Sequence, residues 1–233
     1  MGRVNNNYLI IGLPVIGEPD SGQAVRPSNP GGDVGVEMAF TGTANNAFAY
    51  YPNGEDEGVS VSPTNSIFKV LADTSQWESM SNMFRSCSPL TNLDLHKLDT
   101  SKVTNMSNMF CLCEALTSID MNGFETSKVT NMYNMFSGCP ALTSLDLSGF
   151  DTSSLTEVNS LFYGCTSLLS LDLSNFIMDH VTSKNNMFYL CNALNKIKCK
   201  QAFKDWCITN QDAIALPEAM REGGTGTWEI VSA

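Results

Sequence analysis

The fold of this chain is decided by residues 142–165, which read LTSLDLSGFDTSSLTEVNSLFYGC. The stretch ends in an apolar and aromatic pentad that closes on a cysteine. The same pentad returns every 26 residues, at 83–87, 109–113, 135–139, 161–165 and 187–191. Self-similarity at a fixed period of about 20–50 residues is typical of solenoids, in which each unit buries its apolar face by stacking on its neighbours. The sequence therefore predicts a stack of 26-residue coils.

Each unit carries two further signals. The first is L-x-x-L-x-L, as at Leu142, Leu145 and Leu147, whose last two positions alternate with polar residues as a half-buried strand requires. The second is an acid-Thr-Ser group followed by apolar residues at i, i+3, i+6 and i+7, which predicts a short N-capped helix. Gly138 and Gly164 stand where such a helix would end with a positive φ. Less regular ends are expected in the coils that carry Ser86, Leu112 and Leu190 there.

These motifs resemble the leucine-rich repeats of BspA-type bacterial surface proteins, whose units read like L-x-S-L-D-L-S-x-F-D-T-S-x-V-T-N-M-x-x-M-F-x-G-C. Residues 116–139 and 142–165 match that pattern nearly throughout. The resemblance implies an α/β fold: a right-handed leucine-rich-repeat solenoid with a parallel sheet on one face and short helices on the other. It also implies display at the bacterial cell surface or secretion, and adhesion or protein binding without catalysis.

The rest of the chain divides by composition and pattern. We expect an apolar N-terminal arm, a Gly/Pro-rich linker, a small β-rich N-terminal cap, the solenoid and a C-terminal cap, at 1–16, 17–35, 36–72, 73–199 and 200–233. The strand signal at 67–71 is expected to cover the edge of the first coil. In the C-terminal cap, Trp206 and Trp228 are expected to seal the last coil.

Charge and hydropathy exclude several classes of partner. Thirteen Lys and Arg against 24 Asp and Glu give a formal charge of -11, so nucleic acid and anionic membranes are poor partners. No apolar stretch approaches the roughly 18–20 residues that span a bilayer. The N-terminal residues show neither a secretion signal nor a cysteine for lipid attachment, since the first cysteine is Cys87.

The cysteines favour packing over chemistry. Five of the eight share one repeat position and should form a column of inward thiols about 4.8 Å apart, with parallel Cα–Cβ vectors that disfavour disulfides. A linear column does not converge on a metal ion, so no metal site and no cofactor are predicted. Cys111 is expected to be a partly exposed thiol, and a bridge between Cys199 and Cys207 is left open.

The candidate binding face consists of the outward positions of the predicted strands. A column of aspartates runs through it, with short hydroxyl and amide side chains on either side, and Lys196 and Lys198 end the stripe. A solvated acidic stripe is favoured over a calcium site, because carboxylates about 4.8 Å apart repel by only about 1 kcal/mol in water. The candidate residues are Asn92, Asp94, His96, Ser118, Asp120, Asn122, Ser144, Asp146, Ser148, Ser170, Asp172 and Ser174.

The sequence thus predicts a non-catalytic interaction or adhesion module that presents this polar, acidic surface to a protein or glycan partner. Neither histidine, His96 or His180, stands in a catalytic motif. The alternative is a structural or decoration subunit of an extracellular assembly, such as a phage virion or fibre. In that reading residues 1–16 anchor the chain, and residues 4–16 bind a neighbouring subunit.

Overall fold

The computed structural model describes residues 9–12, 36–41, 47–50, 57–59, 67–70, 74–75, 77–86, 92–95 and 98–232. The predicted linker at 17–35, Cys87 and His96 lie outside the described residues. The described part is α/β, with a parallel sheet of four strands and few helices. This arrangement is compatible with a stack of repeats.

Five short strands precede the repeats: β1 (Leu9–Gly12), β2 (Val36–Thr41), β3 (Ala47–Tyr50), β4 (Glu57–Val59) and β5 (Ile67–Val70). They pair antiparallel in the order β4-β3-β1-β5-β2. Strand β2 then pairs antiparallel with β6 (Asn92–Asp94), the first strand of the repeats. The expectation that residues 67–71 cover that edge is therefore wrong. Strand β5 lies one position further out and pairs with β2 instead.

The repeat strands run parallel and pair at equivalent positions. They are β6, β7 (Ser118–Asp120), β8 (Ser144–Asp146), β9 (Ser170–Leu173) and β10 (Lys196–Cys199), followed by β11 (Thr227–Ile230). Asn92 is opposite Ser118, and Ser144, Ser170 and Lys196 are opposite one another in turn. In the described residues β6 and β7 belong to one sheet and β8 to β11 to another. The expected single parallel sheet is therefore interrupted between β7 and β8 in the described residues, although these two strands lie in contact.

The predicted short helices are absent from the described repeats, where successive turns take their place. The helices of the described chain are α1 (Gln201–Thr209) and a 3₁₀ turn (Glu218–Met220), both in the C-terminal cap. In the repeats, alternate backbone N–H groups donate to the next coil instead of along their own segment. Met80 donates to the carbonyl of Asn105 at 2.9 Å, and Phe84 donates to that of Met109 at 2.8 Å.

Two features of the sequence explain why turns replace helices. The apolar residues Val103, Met106 and Met109 recur at intervals of three, which suits tight turns better than the 3.6-residue helical period. An Asn or Ser in each coil also adopts a positive φ of 54–62°, which a helix interior does not allow. These residues are Asn82, Asn108, Asn134, Ser160 and Asn186.

The end of each pentad has one conformation in every described coil. Gly138 and Gly164 have the predicted positive φ, at 73° and 72°. Ser86, Leu112 and Leu190 have φ of 59–62°, so the expectation of less regular ends is wrong. The backbone N–H groups of Ser86 and Leu112 donate to the next coil, to the carbonyls of Cys111 at 2.7 Å and Ser137 at 2.7 Å. These contacts hold the left-handed conformation of Ser86 and Leu112 without glycine.

The acid-Thr-Ser group starts a turn and ties coils together. Asp151 accepts the backbone N–H of Ser153 at 2.9 Å, the Asx-turn geometry. The hydroxyl of Thr100 is buried, donates to the carbonyl of Glu125 at 3.2 Å and accepts the N–H of Glu125 at 2.8 Å. The group therefore caps a turn and bridges to the next coil, whereas the sequence suggested a helix cap.

The core is a set of columns in which equivalent side chains from successive coils stack. Five phenylalanines form the central column, with ring centroids 5.5–5.9 Å apart and planes within 16° of parallel. They are Phe84, Phe110, Phe136, Phe162 and Phe188. At the end of the column the N–H of Phe188 donates to the carbonyl of Ile214 at 2.9 Å, and α1 buries Phe203 and Cys207. Trp206 and Trp228 are partly buried against the same core.

The cysteine column is confirmed for the four members that the structure describes: Cys113, Cys139, Cys165 and Cys191 are all buried. Each thiol donates to the carbonyl of a pentad phenylalanine in the preceding coil at 3.0–3.1 Å. Cys111 is also buried, so the expectation of a partly exposed thiol is wrong. Cys199 and Cys207 are buried thiols without a bridge.

Burial makes these thiols poor nucleophiles, because only the thiolate reacts. Burial raises the pKa of Cys165 to about 12 and raises that of Cys139 well above its ordinary value. We expect iodoacetamide at pH 8 to leave Cys139 and Cys165 unmodified in the native chain and to modify both in denaturant, as measured by peptide mass mapping. Equal labelling rates in the two conditions would contradict the buried column.

Candidate binding surface on the parallel strands

The strands place three of the predicted aspartates on one outward face. In β8, Ser144 and Asp146 are exposed while Leu145 between them is buried. Asp146 is directly opposite Asp172 of β9, and Asp120 occupies the equivalent position in β7. Because side chains alternate along a strand, the aspartates share the face that turns away from the leucine core.

Each of these carboxylates is held by the backbone that follows it. One carboxylate oxygen accepts the N–H two residues on: Asp120 from Asn122 at 2.9 Å, Asp146 from Ser148 at 2.9 Å, and Asp172 from Ser174 at 3.1 Å. This is an Asx turn, and it ends the strand. The sequence carried the signal for this role in the recurring Asp-x-Asn/Ser spacing, but the aspartates were predicted only as outward residues.

The two lysines lie at the end of the stripe as predicted, and Lys198 neutralises its last aspartate, Asp172. The ammonium of Lys198 lies 2.7 Å from Asp172, and that of Lys196 lies 2.8 Å from Glu229 of β11. Burial raises the pKa of Asp172, but hydrogen bonds from Lys198 and Ser174 outweigh it and hold that pKa below its ordinary value. Exposed pairs of this kind stabilise the fold by only about 0–1 kcal/mol.

Asp120 and Asp146 are left as the open part of the stripe. Both are exposed, and within the described residues neither forms an ion pair. Around them, the short polar side chains range from exposed to half-buried, at Ser118, Asn122, Ser144, Ser148, Ser170 and Ser174. The structure therefore brings together nine of the twelve predicted residues. It describes only the backbone of Asn92 and Asp94, and His96 lies outside it.

Comparison with known protein families finds a match that covers the repeats and the first part of α1. A family model described as a Mycoplasma protein of unknown function, DUF285, matches residues 73–206, more than half of the chain. The chain belongs to the DUF285 family. No curated protein and no solved structure matches it.

One exposed pair of tyrosines in this DUF285 chain was not predicted from the sequence. Tyr163 and Tyr189 belong to turns, stack with ring centroids 5.1 Å apart and are partly exposed. Their equivalent position in adjacent coils could have revealed the pair, but the pentad was interpreted as inward-facing.

In the described residues no group of three or more His, Cys, Asp and Glu side chains is arranged to hold a metal ion. None of the described helices has the length and apolar character that a bilayer crossing requires.

Proposed function

We propose that this chain is a non-catalytic interaction module that captures a protein partner on the outward face of its parallel strands. In this proposal the chain is a right-handed leucine-rich-repeat solenoid of 26-residue coils. It is related to BspA-type proteins and is displayed at the cell surface or secreted. The stacked columns of phenylalanine, threonine and cysteine support the repeat architecture, because each links equivalent positions of neighbouring coils.

The observation that carries the proposal is the fixed orientation of Asp120 and Asp146. Each carboxylate gives one oxygen to a backbone N–H at 2.9 Å, so the side chain is ordered before any partner arrives. Binding to a preorganised group loses less conformational entropy than binding to a mobile one. The second oxygen of each carboxylate remains available to accept a hydrogen bond from a partner.

The charge of the face decides which partner fits. Lys or Arg side chains form charge-assisted hydrogen bonds with carboxylates, whereas an anionic partner would meet both the stripe and the formal charge of -11. Each such pair is exposed and therefore weak, which means that capture needs several contacts along the row. We therefore favour an extended basic segment of a protein over a glycan at this face. The attraction should weaken as salt rises.

The alternative of a virion or fibre subunit depends on residues 1–16 as an anchor. Strand β1 pairs within the chain, Leu9 with Tyr50 and Ile11 with Val70. These pairs give the central part of the arm a place in the chain's own sheet, so its backbone is paired without a neighbouring subunit. We favour the interaction module for that reason.

Selection of peptides from a random library on the immobilised full chain tests the proposal. We expect enrichment of Lys- and Arg-containing peptides, with affinity falling as salt rises. The double variant Asp120→Asn/Asp146→Asn should weaken their binding about tenfold, from two exposed pairs at about 0.7 kcal/mol each. Asparagine still accepts the backbone N–H, so the turns should persist.

A matched control removes two exposed carboxylates elsewhere, in the variant Glu114→Asn/Asp179→Asn. Its affinity for the selected peptides should stay within twofold of the parent's. Peptides without basic residues, or equal losses in the two double variants, would contradict capture at the strand face.

A further inference from the structure

We infer that the C-terminal cap holds a second site, a cleft that binds a neutral saccharide. The cleft has a volume of about 590 Å³ and lies between α1 and the loop at residues 221–226. Gln201, Lys204 and Asp205 line it from the helix, and Trp228 of β11 lines it from the sheet. Sites for small ligands typically have volumes of about 300–1,000 Å³, so a sugar unit fits.

The loop side of the cleft is closely packed. A Cβ on Gly224 would lie 2.4 Å from the carbonyl oxygen of Ala219, and one on Gly226 would lie 2.4 Å from the sulfur of Met220. The N–H of Gly226 donates to the carbonyl of Ala219 at 2.6 Å. Glycine is therefore required for the loop to lie against the 3₁₀ turn. The loop forms a wall whose position is set before a ligand binds.

The indole of Trp228 is also held in place. Its Nε1–H donates to the carbonyl of Met220 at 3.1 Å, and the ring is half-buried. The ammonium of Lys204, another lining residue, lies over the ring at cation–π distance, 5.9 Å from the centroid. In the inferred complex, a ligand with an apolar C–H face and hydroxyl groups takes the place of this ammonium on the ring and accepts a hydrogen bond from it.

The polar groups of the cleft define the ligand class. Asp205 accepts a hydrogen bond from the amide of Gln201 at 2.7 Å, which leaves its second oxygen and the Gln201 carbonyl as acceptors. The formal charges of Lys204 and Arg221 balance those of Asp205 and Glu222, and the Arg221 guanidinium already pairs with a carboxylate outside the cleft at 2.9 Å. A charged ligand gains little from a balanced lining, and an apolar ligand would leave the free acceptors of Asp205 and Gln201 without partners. Saccharide hydroxyls, which donate and accept, satisfy both kinds of group.

An array of neutral and charged glycans probed with the full chain tests the inference. We expect binding to neutral glycans, weakened about tenfold in Asp205→Ala by loss of a hydrogen bond to a charged acceptor. Alanine suits this exposed helix position, so the variant should fold. The matched control Asp179→Ala removes an exposed carboxylate away from the cleft and should bind as the parent does.

One further control keeps this site distinct from the strand face. The variant Asp120→Asn/Asp146→Asn should bind glycans as the parent does, so failure of the peptide experiment and failure of this one are separable. The inference is overturned if no neutral glycan binds, if only charged glycans bind, or if Asp205→Ala leaves glycan binding unchanged.

Discussion

Replacing Phe136 by alanine is expected to lower the free energy of unfolding by about 3–5 kcal/mol. Phe136 is completely buried, and its ring stacks between those of Phe110 at 5.5 Å and Phe162 at 5.9 Å. The substitution removes apolar contacts with both neighbouring coils and leaves a cavity in the middle of the column. The backbone around it is tied to both neighbours by hydrogen bonds, which limits how far the cavity can collapse.

The variant Tyr133→Ala is the matched control, because Tyr133 is an aromatic residue of the same coil with 38% of its surface exposed. It should lose about 1 kcal/mol or less, as surface substitutions usually do. Chemical denaturation followed by circular dichroism measures both values. A loss below about 1 kcal/mol for Phe136→Ala would mean that the phenylalanine column does not support the stack.

Sequence reasoning predicted the inward positions well because a repeat leaves little freedom in them. A side chain that returns every 26 residues must face its own copies, so Phe136 stacks and Cys139 is buried. The same logic placed Asp146 outward, since strand alternation follows once Leu145 and Leu147 face the core. These predictions rest on periodicity and on the pleat of a strand, both of which the sequence displays directly.

The conformation between the strands could not be obtained in the same way. An apolar stripe at i, i+3 and i+6 fits a helix and a series of turns, and the choice depends on where the backbone N–H groups find acceptors. Here they find them in the next coil, as Met132 does at the carbonyl of Glu157. A local pattern does not reveal that partner. The sign available in the sequence was the asparagine that recurs in the repeats, as at Asn108 and Asn134. Asparagine adopts a positive φ more readily than most residues, and both of these do so in the structure.

The two candidate sites also differ in how much of each can be predicted from the sequence. The row of aspartates was visible in the sequence because it recurs, whereas the hydrogen bonds that orient Asp120 and Asp146 had to be seen in the structure. The C-terminal cleft had no repeated signal. It forms because α1 and the loop at 221–226 pack beside Trp228, and their sequences alone do not show that they meet.

Deletion of residues 126–151 is expected to yield a chain that still folds, one coil shorter. This removes 26 residues and joins Glu125 to Thr152, where the parent has Asp151 before Thr152. The new neighbours carry equivalent side chains, so Phe110 can stack on Phe162. The free energy of unfolding of a solenoid is approximately the sum of contributions from each repeat and from each interface between repeats. The variant should therefore lose the contribution of one coil and one interface. It also loses Asp146, so basic peptides should bind more weakly.

Deletion of residues 126–138 is the opposing case, because it removes 13 residues, half a coil. It would bring Glu125 next to Cys139 and leave one coil without its phenylalanine and its turns. The backbone bonds that join that coil to its neighbours could not form. We expect this variant to lose the cooperative unfolding transition of the parent or to be insoluble.

The most direct test of a stack of interchangeable 26-residue coils is thermal unfolding of the two deletion variants beside the parent, followed by circular dichroism. The account predicts a single cooperative transition for the 126–151 deletion, at a lower midpoint than the parent's, and none for the 126–138 deletion. Loss of the transition in the full-coil deletion, or equal midpoints in the two variants, would contradict it.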